Sequence, residues 1–182
     1  MGWIPVKGGR LGDREWHRAA DVADLWWSDT SLAHEGLPVV DLTMYQASRV
    51  AELLGARLPT SVEWEWMASR GHRLYPWGDQ DPTEQHANLR PWSPGRTTPG
   101  RAHPAGRTPE GVWDVAGNSW EWTLAPWRRD GAALLRGGSY HSLVQYASCR
   151  HANDVLPGLA SPGIGLRLVR DTDPTTQMGA PR

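Results

Sequence analysis

The stretch that decides the fold runs Arg136-Gly137-Gly138-Ser139-Tyr140, then Cys149-Arg150, then Gly165-Leu166-Arg167. Leu134 to Gly137 and Leu166 to Val169 read as short strands, and the Gly-Gly-Ser-aromatic run between them reads as a turn. Upstream, Gly117-Asn118-Ser119-Trp120-Glu121-Trp122-Thr123 carries a third strand at Trp120 to Thr123, and a fourth is expected at Gly111 to Val115. Thr60-Ser61-Val62-Glu63 has capping-box spacing, so a helix starts there, runs to about Ser69 and stops at Gly71. Thr43-Met44-Tyr45-Gln46 repeats the signal for a helix to about Leu54, with Ala47, Val50, Ala51 and Leu54 on one face and Gly55 as its end. Asp13 can cap a further helix with Trp16, Ala19, Ala20, Ala23 and Trp26–Trp27 on its apolar side, after a strand at Trp3 to Val6.

Between Gly71 and Gly111 both helical and strand periodicity fade, and seven prolines from Pro76 to Pro109 punctuate the segment. A loop of that length fits a compact domain only if its own side chains pack it, for which Tyr75, Trp77, Leu89 and Trp92 are available. The chain has 12 Trp and no Phe, so indoles, each needing a partner for its N–H, must build much of the core. Trp120 is counted in that buried frame. Two helices among short strands and long loops make an α+β domain over residues 1–171, with a polar tail at 172–182 expected to be disordered. The formal net charge of −1 argues against a nucleic-acid or anionic-membrane partner. No apolar run approaches the ~20 residues needed to span a bilayer, and no signal-peptide core is visible, so a cytoplasmic location is expected. A single cysteine, Cys149, excludes an intrachain disulfide.

Together with Leu58-Pro59-Thr60, Glu63-Trp64-Glu65 and Tyr75-Pro76-Trp77-Gly78-Asp79, these motifs resemble the sulfatase-modifying-factor family, the domain of formylglycine-generating enzymes, from about Pro38 to Val169. The resemblance implies a C-type-lectin-like fold, here with an abbreviated N-terminal part. The oxidase members carry two reactive cysteines shortly after the Gly-Gly-Ser-aromatic turn. This chain reads His141-Ser142-Leu143-Val144-Gln145-Tyr146-Ala147-Ser148 there, without a thiol. Neither copper nor formylglycine formation is therefore expected, and Cys149 matches a packing cysteine of the family.

The resemblance also implies one structural calcium ion, held by the side chains of Asp114 and Glu121 and the carbonyls of Gly117 and Ser119. The alternative is that both carboxylates bond backbone amides or an arginine instead. A second family site is matched only by Asn88-Leu89, because its Asp-x-aromatic half is missing between Pro91 and Pro109. The seven histidines show no helical metal spacing, although His141 and His151 could approach each other.

Tyr140 to Ser161 lies between two framework signals, Arg136 to Ser139 and Gly163 to Arg167. Within it His141, Ser142, Leu143, Tyr146, His151, Asn153, Asp154, Val155, Leu156 and Leu159 are all residue types reachable from an AAC codon by changing adenines alone. With the order of parts, this resembles the variable proteins of diversity-generating retroelements. Drift in a dead enzyme leaves a similar pattern. The first expectation is a non-catalytic binding protein whose face, Tyr140 to Leu159, meets a protein surface through Tyr140, His141, Tyr146 and His151. The alternatives are a divergent oxidase or non-haem iron enzyme, which would gather His141, His151 and Asp154 around one cavity, or a partner subunit of an active enzyme.

Overall fold

Two threonines start the two α-helices. The computed structural model describes residues 2–4, 36–125 and 133–170. Thr43 Oγ1 accepts the Gln46 amide at 3.2 Å and Gln46 Oε1 accepts the Thr43 amide at 2.9 Å, which opens α1 (Met44–Leu53). Thr60 and Glu63 make the same reciprocal pair at 3.2 and 2.8 Å and open α2 (Ser61–Ser69). Both capping boxes stand where the sequence predicts them. The left-handed stop of α2 falls on Arg70, φ 51°, one residue before the expected Gly71.

The strands are β1 (Gly2–Ile4), β2 (Trp120–Thr123), β3 (Ala133–Arg136), β4 (Ala152–Val155), β5 (Ile164–Leu166) and β6 (Leu168–Arg170). Four of them form a mixed sheet ordered β4-β3-β2-β5, in which only β2 and β5 run parallel; β1 pairs antiparallel with β6. The single strand expected at Leu166 to Val169 is two strands, because the chain changes partner at Arg167. The strand expected at Gly111 to Val115 does not form. The carbonyls of Trp113 and Asp114 instead accept Arg167 Nη2 at 3.0 and 3.2 Å, and Asp114 is left-handed at φ 52°. The helix expected from Asp13 and the polar tail lie outside the described residues.

The sheet separates two cores. On one face Trp122 and Leu135 pack with α1 residues Ala47, Val50 and Ala51 and with Leu42, Leu58, Ile164 and Leu166. The Trp122 indole donates to Leu42 O at 2.7 Å, so this fully buried ring leaves no orphan donor. On the other face Trp64 of α2 packs with Met67, Ala68, Val115 and Cys149. A third cluster, Ala87, Leu89, Ala116 and Ala147 with Tyr75, Trp77 and Val144 against it, holds the long loop. Tyr75, Trp77 and Leu89 thus do what the sequence asks of them, whereas Trp92 is exposed. Asn118 ties this loop to the sheet, accepting from Thr98 N at 2.8 Å and Asn88 Nδ2 at 3.1 Å. Gly137 is required by crowding: at φ 89°, an added Cβ would lie 2.5 Å from Val115 O.

Candidate binding face

Arg136, the last residue of β3, anchors the segment that follows it. Its Nε donates to Ser61 Oγ at 2.7 Å, Nη1 to Cys149 O at 3.1 Å and His151 O at 3.2 Å, and Nη2 to Glu65 Oε2 at 2.9 Å. The same guanidinium lies 5.8 Å from the Trp64 ring centroid. One buried arginine therefore clamps both ends of residues 149–151 to α2. The turn itself closes through Ser139 N to Ser142 Oγ at 2.9 Å and Ser142 N to Ser139 O at 2.9 Å. Leu74 O accepts Cys149 N, and Ser142 O accepts Arg90 N, both at 2.9 Å. An irregular backbone is fixed here by side-chain and loop bonds in place of a ladder.

On this scaffold the expected face divides. His141, Leu143, Asn153, Asp154, Leu156 and Leu159 are exposed, with Leu156 at 78%. Tyr146, His151 and Val155 are half-buried. Tyr140 and Ser142, expected on the face, are each only 7% exposed. Tyr140 lies against Gly163 and Ser142 closes the turn, so both belong to the frame. Trp120, expected in the frame, is half-buried: it packs against the first core, and its ring also borders the face. Its ring centroid is 6.0 Å from Tyr146 and 5.9 Å from His151, and those two rings meet edge to face at 4.6 Å. The alternation of β2 contained the clue, since Trp120 shares a face with buried Trp122 but sits at the strand's first position, on the rim of the core. The strand β4 was also missed, its Ala-Asn-Asp-Val sequence having no apolar alternation.

The alternative iron site does not assemble. His141 stacks beside Tyr140 at 4.2 Å, while His151 packs between Trp120 and Tyr146. Among the described residues no three His, Cys, Asp or Glu side chains gather as a metal group. Burial, and then the Arg136 charge, holds the His151 imidazole below its ordinary pKa, so it is neutral at neutral pH. Cys149 is fully buried, and burial pushes its thiol up to about 12. Without a thiolate it is a packing residue.

The calcium loop meets protein donors. Glu121 is fully buried; its Oε2 accepts Arg167 Nε at 2.9 Å and Trp64 Nε1 at 2.7 Å, and its Oε1 accepts Arg167 Nη2 at 2.9 Å. Asp114 Oδ2 accepts the Arg101 amide at 2.8 Å. Both carboxylates are thus committed as the metal-free alternative has them, to an arginine and to a backbone amide. Asn88 Oδ1 is buried without a protein partner, one oxygen where calcium takes six or more. The carboxylate oxygens expected to hold the ion therefore have protein partners in Arg167, Trp64 and the Arg101 amide.

No helix among the described residues is long and apolar enough to cross a membrane. Comparison with known proteins places the chain. Its residues 10–172 match the model of the sulfatase-modifying factor enzyme 1-like domain. It is 42% identical over 96 residues to hercynine oxygenase of Mycobacterium tuberculosis, which covers 50% of this chain and 22% of that enzyme. It is 30% identical over 206 residues to the formylglycine-generating enzyme of Streptomyces coelicolor, covering 85% of this chain and 64% of the relative. The chain therefore spans about a fifth of the first relative and less than two thirds of the second. In structure it resembles CarF, with a TM-score of 0.67, 21% identity and coverage of 87% of this chain and 83% of the other. It also resembles variable protein 1 of Treponema denticola, with a TM-score of 0.57, 19% identity and coverage of 77% and 73%. At these identities the structural likenesses establish the fold, which is of the formylglycine-generating-enzyme-like, C-type-lectin-like kind. With nearly its whole length matched by one family model, the chain belongs to the sulfatase-modifying factor enzyme 1-like domain family.

Proposed function

We propose that this domain is a non-catalytic binding protein that presents residues 141–159 to a protein partner, as a variable protein does. The observation that carries the reading is the division within that segment. Its backbone is held by Arg136 and by the Ser139–Ser142 turn, while His141, Leu143, Asn153, Asp154, Leu156 and Leu159 face outward, three of them leucines. Exposed apolar side chains on a rigid backbone offer contact area at low entropy cost. Half-buried Trp120, Tyr146 and His151 would supply the aromatic centre of such an interface. The buried, protonated Cys149 supports the absence of oxidase chemistry.

Sequencing the 3′ coding region across a population of the source organism tests this reading. Substitutions at adenines of AAC-like codons should concentrate at 141, 143, 153, 154, 156 and 159 and spare Tyr140 and Ser142. Variation spread evenly over exposed and buried positions, or no variation at all, counts against it. The relatives named hercynine oxygenase and formylglycine-generating enzyme support the second reading, a divergent oxidase. Mass spectrometry of a sulfatase-type cysteine peptide incubated with the protein, copper and oxygen tests the formylglycine-generating form of that second reading. We expect no formylglycine product.

A further inference from the structure

Four arginines in the described residues lie over tryptophan rings, and they divide into two kinds. Arg136 over Trp64 and Arg70 over Trp66 each also pair with a carboxylate, Glu65 at 2.9 Å and Glu110 at 3.4 Å. Arg101 and Arg107 share one ring, that of Trp113, at 5.6 and 5.7 Å from its centroid. Both are exposed, and neither forms an ion pair among the described residues. Two exposed positive charges are thus held against one indole, neither of them in an ion pair among the described residues, and an anionic group meeting them would gain from both.

The platform beneath them is rigid. Trp113 O and Asp114 O accept Arg167 Nη2, whose guanidinium is locked to buried Glu121. Arg101 is left-handed at φ 64°, a conformation uncommon for a residue with a Cβ, and the bond from its amide to Asp114 Oδ2 keeps it there. Stacking on an indole orients a guanidinium and leaves its N–H edge free for a planar anion. We infer that Arg101, Trp113 and Arg107 form a docking site for the carboxylates of an acidic segment of a protein partner, separate from the face at 141–159. Carboxylate suits the site because each guanidinium edge can take one such group through two parallel hydrogen bonds. A nucleic acid is disfavoured by the overall charge of −1.

The probe is a fluorescein-labelled ten-residue Glu/Asp peptide, read by polarisation against the intact chain at low and at 0.5 M salt. The Asn/Gln version of the peptide is the control. We expect binding of the acidic peptide alone, weakened by salt. The pair Arg101→Gln, Arg107→Gln should weaken it by about tenfold or more, with an unchanged melting temperature. Arg101→Lys with Arg107→Lys should recover only part of the loss, since an ammonium has no planar fork. Arg90→Gln with Arg96→Gln, two exposed arginines of the same loop away from any ring contact, should bind like the parent. Four results overturn the site: no binding by the parent, equal loss in both glutamine pairs, full recovery with lysine, or displacement by inorganic phosphate at concentrations where chloride of the same ionic strength has no effect.

Discussion

At the scale of single residues, buried charge decides most. Glu121 and Arg167 are both fully buried and bonded by two N–H···O contacts of 2.9 Å, with the Trp64 indole as a third donor. Removing one partner strands the other charge in a medium that cannot solvate it. Glu121→Gln should therefore cost about 3–5 kcal/mol in urea unfolding. Glu65→Gln, whose carboxylate is well exposed opposite Arg136, should cost less than about 1 kcal/mol. Equal losses would mean that the Glu121 pair is not desolvated as the structure has it. Cys149 gives a second residue-scale test. With its thiol pushed up to about 12 by burial, it should resist maleimide at pH 8 in the folded protein and react at once in denaturant. Rapid labelling of the native chain would reopen the question of a reactive thiol.

At the scale of elements, the helix starts were the most legible part of the sequence, because a capping box is local and needs no tertiary context. The strands were less so. The run from Leu166 to Val169 splits at Arg167, and Gly111 to Val115 gives its carbonyls to an arginine 50-odd residues away, a bond that no local pattern announces. The cap of α2 also predicts how stability follows pH. The Arg57 guanidinium, then the Thr60 amide and hydroxyl, bind the Glu63 carboxylate and outweigh its burial, lowering its pKa to about 2. Because the folded value lies below the ordinary one, this stabilisation is complete above about pH 4.5 and is lost as the pH falls towards 2. Glu63→Gln should flatten that part of the pH–stability curve; an unchanged slope would show that Glu63 is not held as described. The calcium loop is read out the same way. With Asp114 and Glu121 already bonded to protein donors, the melting temperature should be the same in chelator and in millimolar calcium. A rise with calcium that Asp114→Ala abolishes would restore the metal.

At the scale of the whole molecule, the sheet and its two cores form a frame that holds an irregular segment in place. The motifs made that frame readable, since Trp64, Glu121, Trp122, Arg136 and Arg167 all fall inside them and all are buried or bonded to one another. The face was only half readable. Composition can nominate residues 140–159 but cannot say which side chains point outward, so Tyr140 and Ser142 fall inside the frame, while Trp120 packs on the core and borders the face as well. That boundary is the central claim, and thermal melting of two variants tests it most directly. His141→Ala, Leu143→Ala, Leu156→Ala and Leu159→Ala combined should melt within a few degrees of the parent, because each side chain is exposed and such changes usually cost under about 0.5 kcal/mol each. Trp122→Ala alone, emptying a fully buried indole site, should cost about 3–5 kcal/mol. A quadruple variant that unfolds while Trp122→Ala is tolerated would invert face and frame and contradict the display of this segment.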